Sequence, residues 1–111
     1  MANIYQNAKI SLTSSGDTVL YTAPSNSRAI VKSILIAEDN NSTAVAEVTL
    51  VNASGTAFVI DKDVSLTAKT NEQVLNEPLI MQESEVLQVT AADANRLHVV
   101  ASILEINRED R

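Results

Sequence analysis

Apolar residues in this chain come in short alternating runs, each closed by a polar turn, and no stretch keeps a helical period long enough to compete. Ala8, Ile10 and Leu12 fall on one face of an extended segment that ends at Thr13, and Ser14–Asp17 is turn chemistry. Thr18–Thr22 starts the return, so these two segments are expected to form a hairpin. Pro24 breaks the ladder because it has no N–H to donate. The strongest apolar segment follows, Ala29–Ala37, with Ile30, Ile34 and Ile36 expected on one face and Val31, Leu35, Ala29, Ser33 and Ala37 on the other. Ala44–Val51 turns Ala46, Val48 and Leu50 inward, and Asn52–Gly55 closes a second hairpin because Asn and Gly tolerate positive φ. Ala57–Leu66 is interrupted by Asp61-Lys62-Asp63, the mark of an edge strand or a bulge. Gln73–Leu75, Leu79–Met81, Val86–Ala91 and Leu97–Ile106 complete the series. About eight strands spaced by ~8–12 residues predict an all-β fold, an antiparallel β-sandwich of jelly-roll-like type.

At 111 residues the chain has room for one two-layer domain, placed at 8–106, with an N-terminal arm at 1–7 and a C-terminal tail at 107–111. Ile4 and Tyr5 stand as isolated apolar anchors in the arm, suited to lying on a neighbour or adding to its sheet edge. Arg108 and Arg111 flank Glu109-Asp110 in a mixed-sign tail that suits a protein neighbour better than phosphate. These four are the candidate partner-binding residues. Ala29–Ala37 and Leu97–Ile106 are apolar on both faces, which places them centrally in a sheet and leaves a second face to be covered. The cover is either the chain's own termini or another copy; a homo-oligomer is expected, a trimer or a ring.

Charge and composition narrow the function classes. A formal charge of −6 opposes both DNA and an anionic membrane surface, and the eight basic residues form no contiguous patch in sequence. No apolar run approaches the ~20 residues needed to cross a bilayer, and the first residues lack a signal-peptide pattern, so use without crossing a membrane by that route is expected. Without cysteine there is no disulfide or thiolate-bound zinc, which fits synthesis in a reducing cytoplasm. His98 is the single histidine, and no serine lies in a nucleophile-elbow setting. It is read as a structural, hydrogen-bonded histidine. Asp61 with Asp63, and Glu83 with Glu85, are each expected to share a strand face, but in so acidic a chain they read as solvated edges rather than an acid–base pair. Glu38-Asp39-Asn40-Asn41 offers oxygen ligands without the spacing of a calcium loop. Gly16 and Gly55 are isolated turn glycines, so there is no phosphate loop. No enzyme, cofactor or metal is expected.

Asn7-Ala8-Lys9, Leu20-Tyr21-Thr22-Ala23-Pro24, Ala29–Asp39 and Ala94–Ile106 together resemble small virion structural proteins of marine tailed bacteriophages. The resemblance spans nearly the whole chain. It implies a β-sandwich, a component of the virion made in the host cytoplasm, and no catalytic residues. Decoration or cement of the outside of the capsid, bound to the major capsid protein, is the first expectation. A tail, neck or fibre-associated subunit is the second. A carbohydrate-binding module for host recognition is a third, weakened because Tyr5, Tyr21 and Phe58 are the only aromatic platforms available to a sugar.

Overall fold

The computed structural model describes residues 3–13, 15–38 and 44–107. Nine strands form two antiparallel sheets, and among the described residues there is no helix: β1 (Asn3–Leu12), β2 (Gly16–Thr22), β3 (Ser27–Glu38), β4 (Ala44–Val51), β5 (Ala57–Leu66), β6 (Asn71–Gln73), β7 (Leu79–Met81), β8 (Val86–Ala91) and β9 (Leu97–Asn107). One sheet runs β1-β9-β3, with β6 and β7 both pairing the far side of β3; the other runs β2-β8-β4-β5. The fold is the expected antiparallel β-sandwich. As expected, the edge beside β3 comes in two short pieces, β6 and β7, on either side of a segment that contains Pro78, a residue that cannot donate to a ladder.

The core lies between the sheets. Leu12, Val31, Ile34, Ile36, Met81, Leu87, Val89, Leu97, Val99 and Ile103 are essentially sealed from solvent. Alternation explains most of them, since every second residue of a strand points to the same side. In β9 this puts Leu97, Val99, Ala101 and Ile103 inside and His98, Val100 and Ser102 outside.

Three expectations are corrected. First, β1 and β2 are not a hairpin: β1 pairs β9 and β2 pairs β8, so the turn at Gly16 (φ 109°) carries the chain from one sheet to the other. Alternation with a turn between shows two strands but does not show that they pair. Second, Ile30 does not share a face with Ile34 and Ile36. The ladder with β9 shifts between Val31 and Ser33, and the extra residue, Lys32, inverts the alternation. Ala29, Val31, Ile34 and Ile36 are therefore inside, while Ile30 and Leu35 point out. Third, Asn3–Asn7 are no free arm; they continue β1 in register with β9 as far as Asn3↔Ile106. Their backbone groups find partners there although the side chains of Ile4, Tyr5, Gln6 and Asn7 remain exposed. β9 likewise extends to Asn107, the first residue assigned to the tail.

The Asn52–Gly55 hairpin between β4 and β5 forms as expected. The Asn52 side-chain oxygen accepts hydrogen bonds from the backbone N–H of Ser54 (3.2 Å) and Thr56 (2.9 Å), and Gly55 takes the positive φ of 93°.

Candidate interaction face

Register across the β1-β9-β3-β7 sheet aligns four residues far apart in sequence. Tyr5 pairs Leu104, Leu104 pairs Ile30, and Ile30 pairs Ile80, all on the outward side. At ~4.8 Å per strand, this apolar row crosses ~14 Å of sheet. Tyr5 is 74% exposed and Ile80 63%, while Leu104 and Ile30 between them are half-buried. A parallel row, Lys9–Val100–Leu35–Gln73, puts two further partly exposed apolar side chains at its centre. Ile106 lies on the other flank, between Asn3 and Arg28. Contiguous exposed apolar surface is the kind of surface that partner-binding faces offer.

The charges at the described outward strand positions of this face have one sign. Lys9 and Arg28 point outward from the strands, and Lys32 in the bulge holds its Nζ 5.9 Å from the centre of the Tyr5 ring, within reach of a cation–π attraction. Among the described residues no carboxylate occupies an outward strand position of this sheet: Glu38, Glu72 and Glu105 all fall on the inward parity. In a chain of net charge −6, that is a segregation of charge.

The opposite face differs. One row there reads Val19–Gln88–Thr49–Val59, with the two exposed valines separated by polar side chains, and a second, Thr22–Val86–Val51–Ala57, is apolar through its last three strands. Thr90 donates its hydroxyl to Asp17 and Lys62 lies 3.7 Å from Glu47, an exposed ion pair that contributes little to stability. The face is mixed, with Asp17, Glu47 and Lys62 bringing both signs of charge to it.

The structure places the other candidates as follows. His98 stands outward on β9 between Ser11 and Ala37, beside a shallow surface depression of about 320 Å³. Asp61 lies opposite Val48 in β5, and the side chain of Asp63 is outside the described residues. Glu83 and Glu85 do not share a strand face; they sit in the turn between β7 and β8, where a Glu85 carboxylate oxygen accepts the Gln82 N–H at 2.8 Å. Glu38 is buried and its Oε1 accepts the N–H of Lys69 at 2.7 Å, closing a turn in which Lys69 has φ 63°. Asp39, Asn40 and Asn41, the rest of the possible ion site, lie outside the described residues, as do Arg108 and Arg111. Among the described residues no three of His, Asp and Glu are placed to hold a metal ion. Ile4 is 48% exposed at the open end of the sandwich, on the inward parity; Tyr5 faces out.

At that end Glu105 ties the sheets together. Its Oε2 accepts hydrogen bonds from Tyr21 of β2 and from Gln6 Nε2 of β1 (3.0 Å). Burial pushes the Tyr21 phenol well above its usual range, reinforced by the hydrogen bond to Glu105 and by that group's negative charge. A folded-state value above the unfolded one means that the neutral phenol's contribution is whole below about pH 10 and declines as pH rises further. Tyr21→Phe is expected to lower stability near neutral pH by about 1 kcal/mol. It should also flatten the loss of stability above about pH 10, which chemical denaturation at stepped pH measures.

No protein-family model and no curated protein matches the chain. Solved structures do. A subunit of Bacillus endospore appendages, which are disulfide-linked pili, superposes with a TM-score of 0.55 at 9% identity over 95% of this chain and 88% of that one. The core of Drosophila NLP, studied for pentamer formation and histone binding, gives 0.51 at 13% identity over 92% and 98%. VP2 of infectious bursal disease virus, from a subviral particle, gives 0.51 at 14% identity over 98% of this chain; the chain spans only 32% of VP2. At these identities the likeness is one of fold.

Proposed function

We propose that the protein is a non-enzymatic structural subunit of a bacteriophage virion, a decoration or cement protein that lies on the outside of the head shell through the outward face of its β1-β9-β3-β7 sheet. The observation that carries this reading is the Tyr5–Leu104–Ile30–Ile80 row, apolar across the sheet and flanked, among the described strand positions, by Lys9, Arg28 and Lys32. Such a face suits a protein surface that is apolar at its centre and acidic at its rim, here the major capsid protein. The resemblance to small phage virion proteins supports the choice of particle, and the sandwich is a fold from which a pilus subunit and part of a viral particle protein are also built.

Sedimentation of the purified protein with virions that lack it tests the reading. Saturable binding to isolated heads is expected, and binding to isolated tails alone would overturn the placement.

The fold does bring Lys9, Arg28 and Lys32 onto one face, so DNA binding needs its own test. Their centre is Leu104, Ile30, Val100 and Leu35, which offers phosphates nothing to pair with. No shift of duplex DNA is expected at micromolar protein in ~150 mM salt. A salt-sensitive gel shift would move the face from the shell exterior to the genome.

A further inference from the structure

A sandwich of two open sheets exposes unpaired backbone N–H and C=O groups along its edge strands, and natural proteins blunt such edges with bulges, charges, proline or short length. Three of the edges here are treated in that way. β2 shifts register between Val19 and Tyr21 and carries Asp17; β5 shifts register on both sides of Val48 and carries Asp61 and Lys62; β6 and β7 are three residues each. β1 is not. It pairs all ten of its residues with β9 without a shift, contains no proline or glycine, and bears a single charge, Lys9.

We infer that β1 is a self-association edge, along which two copies of this chain pair antiparallel across a two-fold axis to make one continuous sheet. A strand set antiparallel to its own copy meets identical free backbone groups, so the contact is self-complementary. Opposed residues must point to the same side. Ile4, Gln6, Ala8 and Ile10 therefore face their own kind on the inner side, and Tyr5, Asn7, Lys9 and Ser11 on the outer. With the two-fold axis at Asn7, Tyr5 then stands at the seam opposite Lys9 of the second copy.

Charge favours a second copy as the occupant. Two chains of net charge −6 repel wherever their carboxylates meet, but β1 carries none, and its Lys9 lies 3.4 Å from the Asn7 side-chain oxygen. Each copy offers one such edge among the described residues, so the association closes at two rather than at the trimer or ring expected from sequence. Edge pairing buries little area, which predicts a concentration-dependent equilibrium rather than a permanent dimer. The inference needs only a second copy and is independent of the virion reading.

Sedimentation equilibrium of the full chain, combined with amide hydrogen exchange over residues 3–12, tests it. The mass is expected to rise towards two copies between micromolar and millimolar protein. Over the same range the alternate β1 amides not paired to β9 should slow at least tenfold, while those on the free sides of β2 and β5 are unchanged. Asn7→Lys places a second cation in the middle of the seam at an exposed position, and should weaken association at least tenfold without altering the thermal midpoint. A single-copy mass up to millimolar protein would overturn the inference, and so would an oligomer whose free-edge β1 amides exchange as fast as in the monomer.

Discussion

Ile80→Asp should reduce binding to virions at least tenfold while leaving the domain folded. Ile80 is 63% exposed at the end of the apolar row furthest from β1, so its replacement opens no cavity and leaves the β1 edge intact. What changes is the face. The substitution forfeits about 1.5–3 kcal/mol of burial on docking and puts a carboxylate where the described outward strand positions have none. A loss of that size corresponds to roughly ten- to hundredfold in affinity. Circular dichroism and thermal melting check the fold; occupancy on sedimented particles checks the binding. Val59→Asp on the opposite sheet is the control, at a site 52% exposed, and should leave occupancy within about twofold.

Leu87→Ala is expected to have the largest effect on stability. Leu87 is fully buried on β8, paired with Tyr21 on one side and Leu50 on the other, in a sandwich whose core is built almost entirely from aliphatic side chains. Truncation should cost about 3 kcal/mol through lost transfer energy and the residual cavity. For a domain of this size that lowers the thermal midpoint by roughly 10–20 °C. Calorimetry measures it directly. A change below 1 kcal/mol would mean that the two sheets do not pack through this residue.

The strands were legible because period-two alternation and turn residues are local signals. Leu87 and Val89 were read as inward from alternation alone, and the Asn52–Gly55 hairpin from residues that tolerate positive φ. Ala29–Ala37 and Leu97–Ile106 were read as central because they are apolar on both sides, and as β3 and β9 they are the inner strands of their sheet. Partnership is not local, which is why the sequence pattern suggests a β1–β2 hairpin although each strand pairs one near the far end of the chain. The bulge at Lys32 has no signature in sequence, since Val31-Lys32-Ser33 alternates as well as any strand, and it alone decides that Ile30 faces out. Tyr5 was singled out as an anchor. Its companions Leu104, Ile30 and Ile80 were not, because the row exists only once four strands are in register.

The account turns on which face of the sandwich meets the particle, and solvent footprinting of the bound and free protein decides it most directly. Hydroxyl-radical labelling followed by mass spectrometry reads each exposed side chain separately. Protection on binding is predicted at Tyr5, Ile80, Leu35 and Val100, with Val19, Val45 and Val59 on the opposite sheet labelled as heavily as in free protein. Protection of Val19, Val45 and Val59 with Tyr5 and Ile80 still reactive would contradict it, and would transfer the docking role to the β2-β8-β4-β5 sheet.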